Sequence, residues 1–284
     1  MVIDMKKRHL KQKPALSEIL MKTFTICLAI LILFPFVWLL LTSLKTVDEY
    51  YTSPAPLFPS NPQWSRFWTV LVDLEFYTPM LNSILIAACS VVISLTMNSF
   101  IGYGMARFKF KGKNIVFILI LVTMFLPAQV TSIPKFLLYY KLGWLDTYLP
   151  IIIPMFFGSS TGILYISQFI RTVPKEMDEA AMVDGCGHLR IWSQIVIPQI
   201  VPALVLSGIN AFLSSWKSSM GPLIYLRSPD LYTVPLALLY FQSPESNSNL
   251  MLMTGVLISM IPTLIVFIIG QVIMDKGATT ADLK

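Results

Sequence analysis

The sequence predicts an all-α membrane protein with six transmembrane helices. Only 13% of its 284 residues are charged, 55% are hydrophobic, and the mean hydropathy is +0.70. A soluble domain would carry about a quarter charged residues. Six apolar runs are close to the length of about 20 residues that crosses a bilayer core. The excess of Lys and Arg over Asp and Glu, 21 against 15, lies in polar loops beside these runs and does not require a nucleic acid partner.

The six predicted spans divide the chain into one membrane domain and two tails. The spans are 23–44, 79–103, 115–134, 148–170, 203–223 and 250–274. The first follows a basic tail of residues 1–22 and superficially resembles a signal peptide. It is long enough to span, and Lys45 with two acidic residues follows it where a small-residue cleavage site would stand. We therefore expect a retained first span, a transmembrane domain over 23–274, and a second tail at 275–284.

Prolines and small polar residues inside the spans favour a translocation path over a simple anchor bundle. The prolines are Pro35, Pro127, Pro134, Pro154 and Pro262. Each frees backbone carbonyls that neighbouring helices or a water-lined cavity must satisfy. The small and polar residues of the second span and its end are Ser90, Ser94, Asn98, Ser99, Gly102 and Gly104. We expect close helix packing from these residues first and pore lining second.

The distribution of basic residues predicts the orientation. Fifteen Lys and Arg fall on the side of the two tails, the 104–114 loop and the 171–202 segment, and five fall on the opposite side. Because basic residues are enriched on the cytoplasmic side, both termini and the 171–202 segment are predicted to be cytoplasmic. The 45–78 loop, rich in proline and aromatic residues, is expected to form an ordered extracellular cap. The remaining basic residue, Lys217, lies inside the fifth predicted span.

The polar segment 171–202 has the pattern of two short helices joined by a turn. Pro174 suits the first turn of a helix, and acidic residues follow near the positive end of its dipole: Glu176, Asp178 and Glu179. Gly185 is a natural left-handed stop. The second helix is predicted to share one face among Leu189, Trp192 and Val196. The segment is therefore expected to lie on the membrane surface and to fit into a partner.

Within this segment, Glu179-Ala180-Ala181, Asp184-Gly185 and Ile195-x-Ile197-Pro198 resemble the EAA loop of ABC importer permeases, which ends in Leu-Pro. In that family the loop docks into a groove of the ATP-hydrolysing subunit. The resemblance implies that Glu179 pairs with a basic residue there, that the alanines pack in the groove and that Gly185 makes the turn. The implied coupling residues are Glu179, Ala180, Ala181, Asp184, Gly185, Ile195 and Pro198. The alternative is an ordinary interfacial helix with a solvated acidic face.

Further motifs resemble the smaller, six-span permease of the carbohydrate (maltose and multiple-sugar) branch. They are Phe34-Pro35-Phe36 with Trp38, Ser43-Leu44-Lys45, Asn82-Ser83, residues 103–108, residues 142–147, Pro222-Leu223 and Thr233-Val234-Pro235-Leu236. The resemblance implies half of the pore of an ATP-driven, binding-protein-dependent sugar importer in a prokaryotic cytoplasmic membrane. The implied partners are a second, larger permease subunit, two copies of an ABC ATPase that bind ATP and magnesium, and an extracytoplasmic sugar-binding protein. The chain itself is expected to hold no catalytic, cofactor or metal site.

Polar and aromatic residues of the third and fifth spans are candidates for the sugar path: Gln129, Thr131, Asn210, Ser214, Ser215, Trp216 and Lys217. Lys217 stands where sugar permeases often carry asparagine. It either faces the path and meets an acidic or hydroxyl-rich sugar or snorkels to the outer interface because the span ends near Ser218. The tail at 277–281 matches the glycine-rich regulatory tail of some relatives only loosely.

Two other functions are weighed against this one. An ABC importer of a non-sugar solute would share the EAA segment. An ion-coupled secondary transporter would be expected to carry intramembrane carboxylates, and the predicted spans contain no Asp or Glu. That class, like a membrane enzyme with clustered His, Asp or Ser, leaves the EAA segment unexplained.

Overall fold

The chain folds into helices that form two compact units. The structure, a computed structural model, describes residues 16–241 and 248–281. One unit ends at Gln63 and the other begins at Trp64. Most of the predicted N-terminal tail, and the last three residues of the C-terminal one, lie outside the described residues. No β-strand occurs within the described part of the chain, as the all-α prediction requires.

The helices follow one another with short connections. The α-helices of the described residues are α1 (Leu16–Ser43), α2 (Val47–Tyr51), α3 (Ser65–Trp68), α4 (Tyr77–Arg107), α5 (Lys113–Met124), α6 (Ala128–Lys141), α7 (Leu149–Ile152), α8 (Ser160–Thr172), α9 (Lys175–Val183), α10 (His188–Ile191), α11 (Ile197–Gln199), α12 (Val201–Trp216), α13 (Met220–Tyr225), α14 (Val234–Tyr240) and α15 (Ser248–Ala281). Turns of π-helix cover Thr69–Asp73 and Trp192–Val196, and turns of 3₁₀-helix cover Ile153–Phe157 and Pro229–Leu231.

The first unit consists of the apolar helix α1 and a capped turn. The apolar stretch of α1 is almost entirely exposed on the chain itself, as expected of a helix whose neighbours are lipid or other subunits. Helix α2 begins with a capping box in which Glu49 Oε2 accepts the Thr46 N–H at 2.9 Å. Glu49 Oε1 accepts the Ser60 N–H at 2.7 Å. These two backbone donors, Thr46 first, lower the pKa of Glu49 to about 2, so the loop is held by an ionised carboxylate.

Helix α4 is the element around which the second unit is assembled. It packs along α8 and along α12, and α12 packs on α15. Small residues allow these contacts: a Cβ at Gly102 would lie 3.3 Å from the backbone N of Ser167, and one at Gly208 would lie 3.4 Å from Leu95 Cδ1. The polar side chains buried on α4 are Ser83, Ser90, Asn98 and Ser99. The packing interpretation is confirmed for Ser90, Asn98, Ser99 and Gly102, which are buried, whereas Ser94 and Gly104 are half-buried.

The second turn of α4 is tied to the segment around the start of α14. Asn82 Nδ2 donates to the backbone carbonyls of Asp230 at 2.7 Å and Tyr232 at 3.0 Å. The N–H of Val234 donates to Ser83 Oγ at 2.8 Å. Carbonyl and amide groups of an irregular segment are thereby satisfied by side chains of a regular helix.

Two of the five prolines, Pro127 and Pro154, coincide with breaks as predicted, whereas Pro35, Pro134 and Pro262 lie inside the continuous helices α1, α6 and α15. The third predicted span is divided by a bend of 101° between α5 and the helix that begins near Gln129, with Pro127 at the break. The fifth predicted span, 203–223, is also interrupted, because α12 ends at Trp216 and α13 starts only at Met220. The fourth contains a 3₁₀ turn at Pro154 and a positive φ at Gly158.

Among the described residues, four helices are long and apolar enough to cross a membrane: Leu20–Ser43, Tyr77–Arg107, Leu149–Thr172 and Asn249–Asp275. Two bent pairs raise the number to six if each is one span: Lys113–Met124 with Gln129–Lys141, and His188–Gln199 with Val201–Trp216. The first pair coincides with the third predicted span. The second pair joins part of the polar segment to α12, which by itself has 16 residues.

Candidate functional site

The polar segment forms the predicted helix–turn–helix. Pro174 is the N-cap of α9, one residue before the helix begins. Helix α9 ends at Val183 with Asp184 as its C-cap, and Gly185 follows with φ +80°, the left-handed conformation predicted for it. The N–H of Cys186 then donates to the carbonyl of Ala181 at 2.9 Å. A Cβ at Gly185 would meet nothing within 4 Å, so conformation and not space requires glycine here.

The face predicted for the second helix is wrong in one residue. Val196 is fully buried and Trp192 is half-buried, but Leu189 is 66% exposed and Ile191 is buried in its place. The cause is the π-helical turn over Trp192–Val196, which inserts an extra residue into the helical register. Ile195 packs at the edge of the buried cluster, and Pro198 is exposed in α11.

The inner face of α9 is fixed to the end of α4 by a buried ion pair. Arg107 Nε lies 2.7 Å from Asp178 Oδ2, with side-chain exposures of 5% and 8%. Arg107 Nη2 also donates to the backbone carbonyl of Val173 at 2.9 Å. Around this pair lies an apolar cluster that includes Tyr103, Ile170, Val173, Ala181, Ile191 and Val196. Helix α9 is thus part of the core and not a loosely attached loop.

The outer face of α9 is an exposed surface of mixed character, which we call the coupling surface. It comprises Glu176, Met177, Glu179, Ala180, Met182 and Val183. Val183 is 88% exposed. Of the two alanines implied in the ATPase groove, only Ala180 is open to a partner, because Ala181 is 6% exposed and packs against this chain's own core. Asp184 is exposed at the end of the helix.

Three of the predicted path residues share one exposed face of α12. Asn210, Ser214 and Lys217 follow one another at helical spacings of four and three residues, and all are exposed. Lys217 is the C-cap of α12, where its charge complements the helix dipole. Trp216 faces the opposite way: it is 6% exposed and stacks on Phe212 with ring centroids 5.4 Å apart.

The other path candidates lie nearby in sequence or on another helix. Ser215 is half-buried on α12. Gln129 and Thr131 lie in the first turn of α6, directly after the break at Pro127, and Gln129 is exposed. The structure thus groups Asn210, Ser214 and Lys217 on one helix face, whereas Trp216 lies in the core.

A clamp that the sequence did not reveal joins the 142–147 motif to the segment after α13. Asp146 Oδ1 accepts the N–H of Arg227 at 2.8 Å and that of Ser228 at 2.9 Å, and its Oδ2 accepts the Ser228 hydroxyl at 2.5 Å. The Asp146 N–H donates to the carbonyl of Tyr225 at 2.8 Å. The Ser228 hydroxyl, followed by the two N–H groups, lowers the pKa of Asp146. The only signal in the sequence was the motif itself.

Comparison with known proteins agrees with this architecture. Residues 98–279 match the family described as "Binding-protein-dependent transport system inner membrane component". The arabinooligosaccharides transport system permease protein AraQ of Bacillus subtilis is 32% identical over 281 residues, covering 97% of this chain and 99% of that protein. The trehalose/maltose transport system permease protein MalG of Thermococcus litoralis is 28% identical over 279 residues, covering 96% and 99%.

A solved structure has the same fold. It is a chain of a bacterial ABC transporter involved in the import of the acidic polysaccharide alginate, with a TM-score of 0.78. The similarity covers 92% of this chain and 98% of that one at 22% sequence identity. At this identity the likeness establishes the fold alone.

Proposed function

Because the chain belongs to the family of binding-protein-dependent transport system inner membrane components, we propose that it is a pore subunit of an ATP-driven sugar importer. The 171–202 segment couples it to the ATPase. Sugars are the proposed substrates because relatives that align over almost the full length are named for arabinooligosaccharide and trehalose/maltose transport. The chain is not itself the ATPase; that activity is assigned to partner subunits.

The observation that carries the proposal is the coupling surface on α9. Glu179 and Ala180 are exposed beside apolar Met182 and Val183. An exposed apolar patch with charge beside it is typical of a protein interface. The inner face of the same helix is anchored on a membrane helix. A partner that presents a groove with a basic residue would bury the apolar side chains and pair with Glu179.

The exposed polar face of α12 supports a translocation path that runs along the surface of this chain. Asn210, Ser214 and Lys217 would be costly against lipid tails. They suit an aqueous path that a second permease subunit closes from the other side. Hydroxyl and amide groups there can exchange hydrogen bonds with a sugar, and Lys217 can add a charge-assisted bond to a carboxylate.

The proposed assembly contains this chain, a second and larger permease subunit, two copies of an ABC ATPase and an extracytoplasmic sugar-binding protein. ATP and magnesium bind the ATPase subunits. The distribution of Lys and Arg, fifteen against five, supports cytoplasmic termini and a cytoplasmic coupling surface. ATP binding would favour one of two pore conformations because the ATPase dimer binds the coupling helices differently in each.

The test is ATP-dependent uptake by proteoliposomes that contain the co-expressed complex. Glu179→Arg and Gly185→Trp are expected to abolish uptake and ATPase association while the two permease subunits still assemble. Asp230→Arg is the matched control, since it reverses the charge of an exposed acidic residue near the other end of α4. Full uptake in both coupling variants, or uptake driven by an ion gradient without ATP, would refute the proposal.

The same assay identifies the substrate class. The panel contains arabinooligosaccharides, maltose and trehalose as neutral sugars and alginate oligosaccharides as acidic ones. A non-sugar solute is the alternative, so a polar osmolyte completes the panel. Saturable uptake of any sugar supports the proposal. Uptake of the osmolyte alone would support the importer function but exclude sugars as its substrates.

A further inference from the structure

One guanidinium group connects three elements of the second unit, α4, α8 and α9. Arg107 is the last residue of α4, Asp178 lies on the buried face of α9, and Val173 is the residue that ends α8. Arg107 contacts the carboxylate at 2.7 Å and the Val173 carbonyl at 2.9 Å. Among the described residues of this region, no other charged side chain contacts both a membrane helix and α9.

The pair is a poor choice for stability alone. A buried ion pair often contributes no more than apolar residues of the same volume, because both charges lose their hydration. Here Arg107 Nε, Arg107 Nη1 and Asp178 Oδ1 are buried with no hydrogen-bond partner among the described residues, so the 2.7 Å contact of Nε with Asp178 Oδ2 is an ion pair and not an aligned hydrogen bond. The surrounding cluster is apolar and could have been completed by apolar side chains. The ion pair instead fixes the position of α9 on α4.

We propose that Arg107 and Asp178 are positioning residues that make α9 and α4 move as one body when the ATPase displaces α9. The inference rests on the proposed function. The coupling surface receives the force on its outer face, and the ion pair passes it from the inner face to a 31-residue membrane helix. Without the pair, α9 can move against α4, and ATP is hydrolysed without a matching movement of the pore.

The test measures ATP hydrolysis and solute uptake in the same proteoliposomes. In Asp178→Asn the number of ATP molecules hydrolysed per solute imported is expected to rise at least about fivefold, the lower range of coupling between two sites. Asp178→Glu, which keeps the carboxylate, is expected to restore the ratio to within about twofold of the wild type. Ile170→Val removes a methyl group from the same buried cluster and is expected to leave the ratio unchanged.

A distance measurement separates positioning from general stability. Spin labels at Val92 on α4 and Lys175 on α9, both exposed, are introduced after Cys27, Cys89 and Cys186 are replaced by serine. The label distance is expected to be the same in nucleotide-free and ATP-bound complexes. In Asp178→Asn it is expected to differ between the two states or to broaden.

The outcomes distinguish this inference from the proposed function. If both rates fall in parallel in Asp178→Asn, so that the ratio stays constant, or if the label distance changes between nucleotide states in the wild type, the positioning role is wrong while the importer stands. A wild-type complex with no ATP-driven uptake overturns the proposed function and the inference with it.

Discussion

Asn98 and Ser159 exchange two hydrogen bonds of opposite direction across 61 positions of the chain. The backbone N–H of Ser159 donates to Asn98 Oδ1 at 2.7 Å, and Asn98 Nδ2 donates to Ser159 Oγ at 3.3 Å. Ser159 Oγ in turn caps α8 by accepting the Gly162 N–H at 3.1 Å. A buried amide in the middle of α4 therefore sets the start of α8.

The first prediction concerns the loss of this amide. Asn98→Leu leaves the buried N–H of Ser159 without an acceptor, and the complex is expected to lose about 1–3 kcal/mol of unfolding free energy. Thermal unfolding of the purified complex checks this. Thr96→Val is the control on the same helix, because the Thr96 hydroxyl is exposed and donates only to Val92 O of its own helix. An Asn98→Leu complex as stable as this control would contradict the prediction.

The second prediction compares two glycines with positive φ. Gly158 has φ +72° and Gly143 has φ +68°. A Cβ at Gly158 would lie 2.9 Å from Asn98 Oδ1, whereas one at Gly143 would meet nothing within 4 Å. Gly143→Ala is expected to cost about 1–2 kcal/mol, from backbone strain alone. Gly158→Ala is expected to cost about 3 kcal/mol or more, because the Asn98 bond is displaced as well. Equal melting temperatures of the two variants would show that the crowding is absent.

The third prediction is a pH dependence of the clamp at Asp146. The pKa of Asp146 is lowered by the Ser228 hydroxyl and then by backbone N–H groups. Its contribution is therefore present above the ordinary carboxyl pKa and is lost as the pH falls through the lower folded value. The melting temperature of the wild type is expected to exceed that of Asp146→Asn at pH 7, and the difference is expected to shrink below about pH 4.

Asparagine is the matched replacement at this position because Asp146 has φ +58°, a conformation that asparagine tolerates. Ser228→Ala removes the hydroxyl and keeps both N–H donors, so it is expected to give a smaller change with the same pH trend. A difference between wild type and Asp146→Asn that is constant from pH 7 to pH 3 would show that the clamp does not depend on charge.

The fourth prediction concerns Lys217. Lys217→Met is expected to lower sugar uptake about tenfold, the effect of one lost hydrogen bond to a charged group, while ATPase association is retained. Lys217→Arg keeps the charge and is expected to retain most of the uptake. Uptake unchanged in Lys217→Met would mean that the side chain only reaches the outer interface at the end of α12.

Local patterns in the sequence predicted much of the fold. Apolar runs predicted the membrane helices, prolines such as Pro127 marked their breaks, and Gly185 predicted the left-handed turn after α9. The exact helix ends were harder to predict. The π-helical turn after Ile191 adds one residue to a helical turn and so shifts which side chains share a face. Leu189 therefore faces outward, which a periodicity of 3.6 residues does not predict.

The contacts of the site were less predictable because they join distant residues. Arg107 was recognised as a basic residue that orients the chain and as part of the 103–108 motif, and Asp178 as a favourable charge near a helix start. Their pairing requires that the end of α4 meet α9, which depends on how α8 packs along α4. The separation of Trp216 from Asn210, Ser214 and Lys217 could be predicted from helical spacing once the direction of the core was known.

The attachment of α4 at both ends has a mechanical consequence. With 31 residues and a rise of 1.5 Å for each, the helix is a lever about 46 Å long. A tilt of about 5° at the Arg107 end would move the start of the helix, at Tyr77, sideways by about 4 Å. That is more than the length of a hydrogen bond, so a small rotation on one side of the membrane is enough to rearrange the outer segment that Asn82 and Ser83 hold.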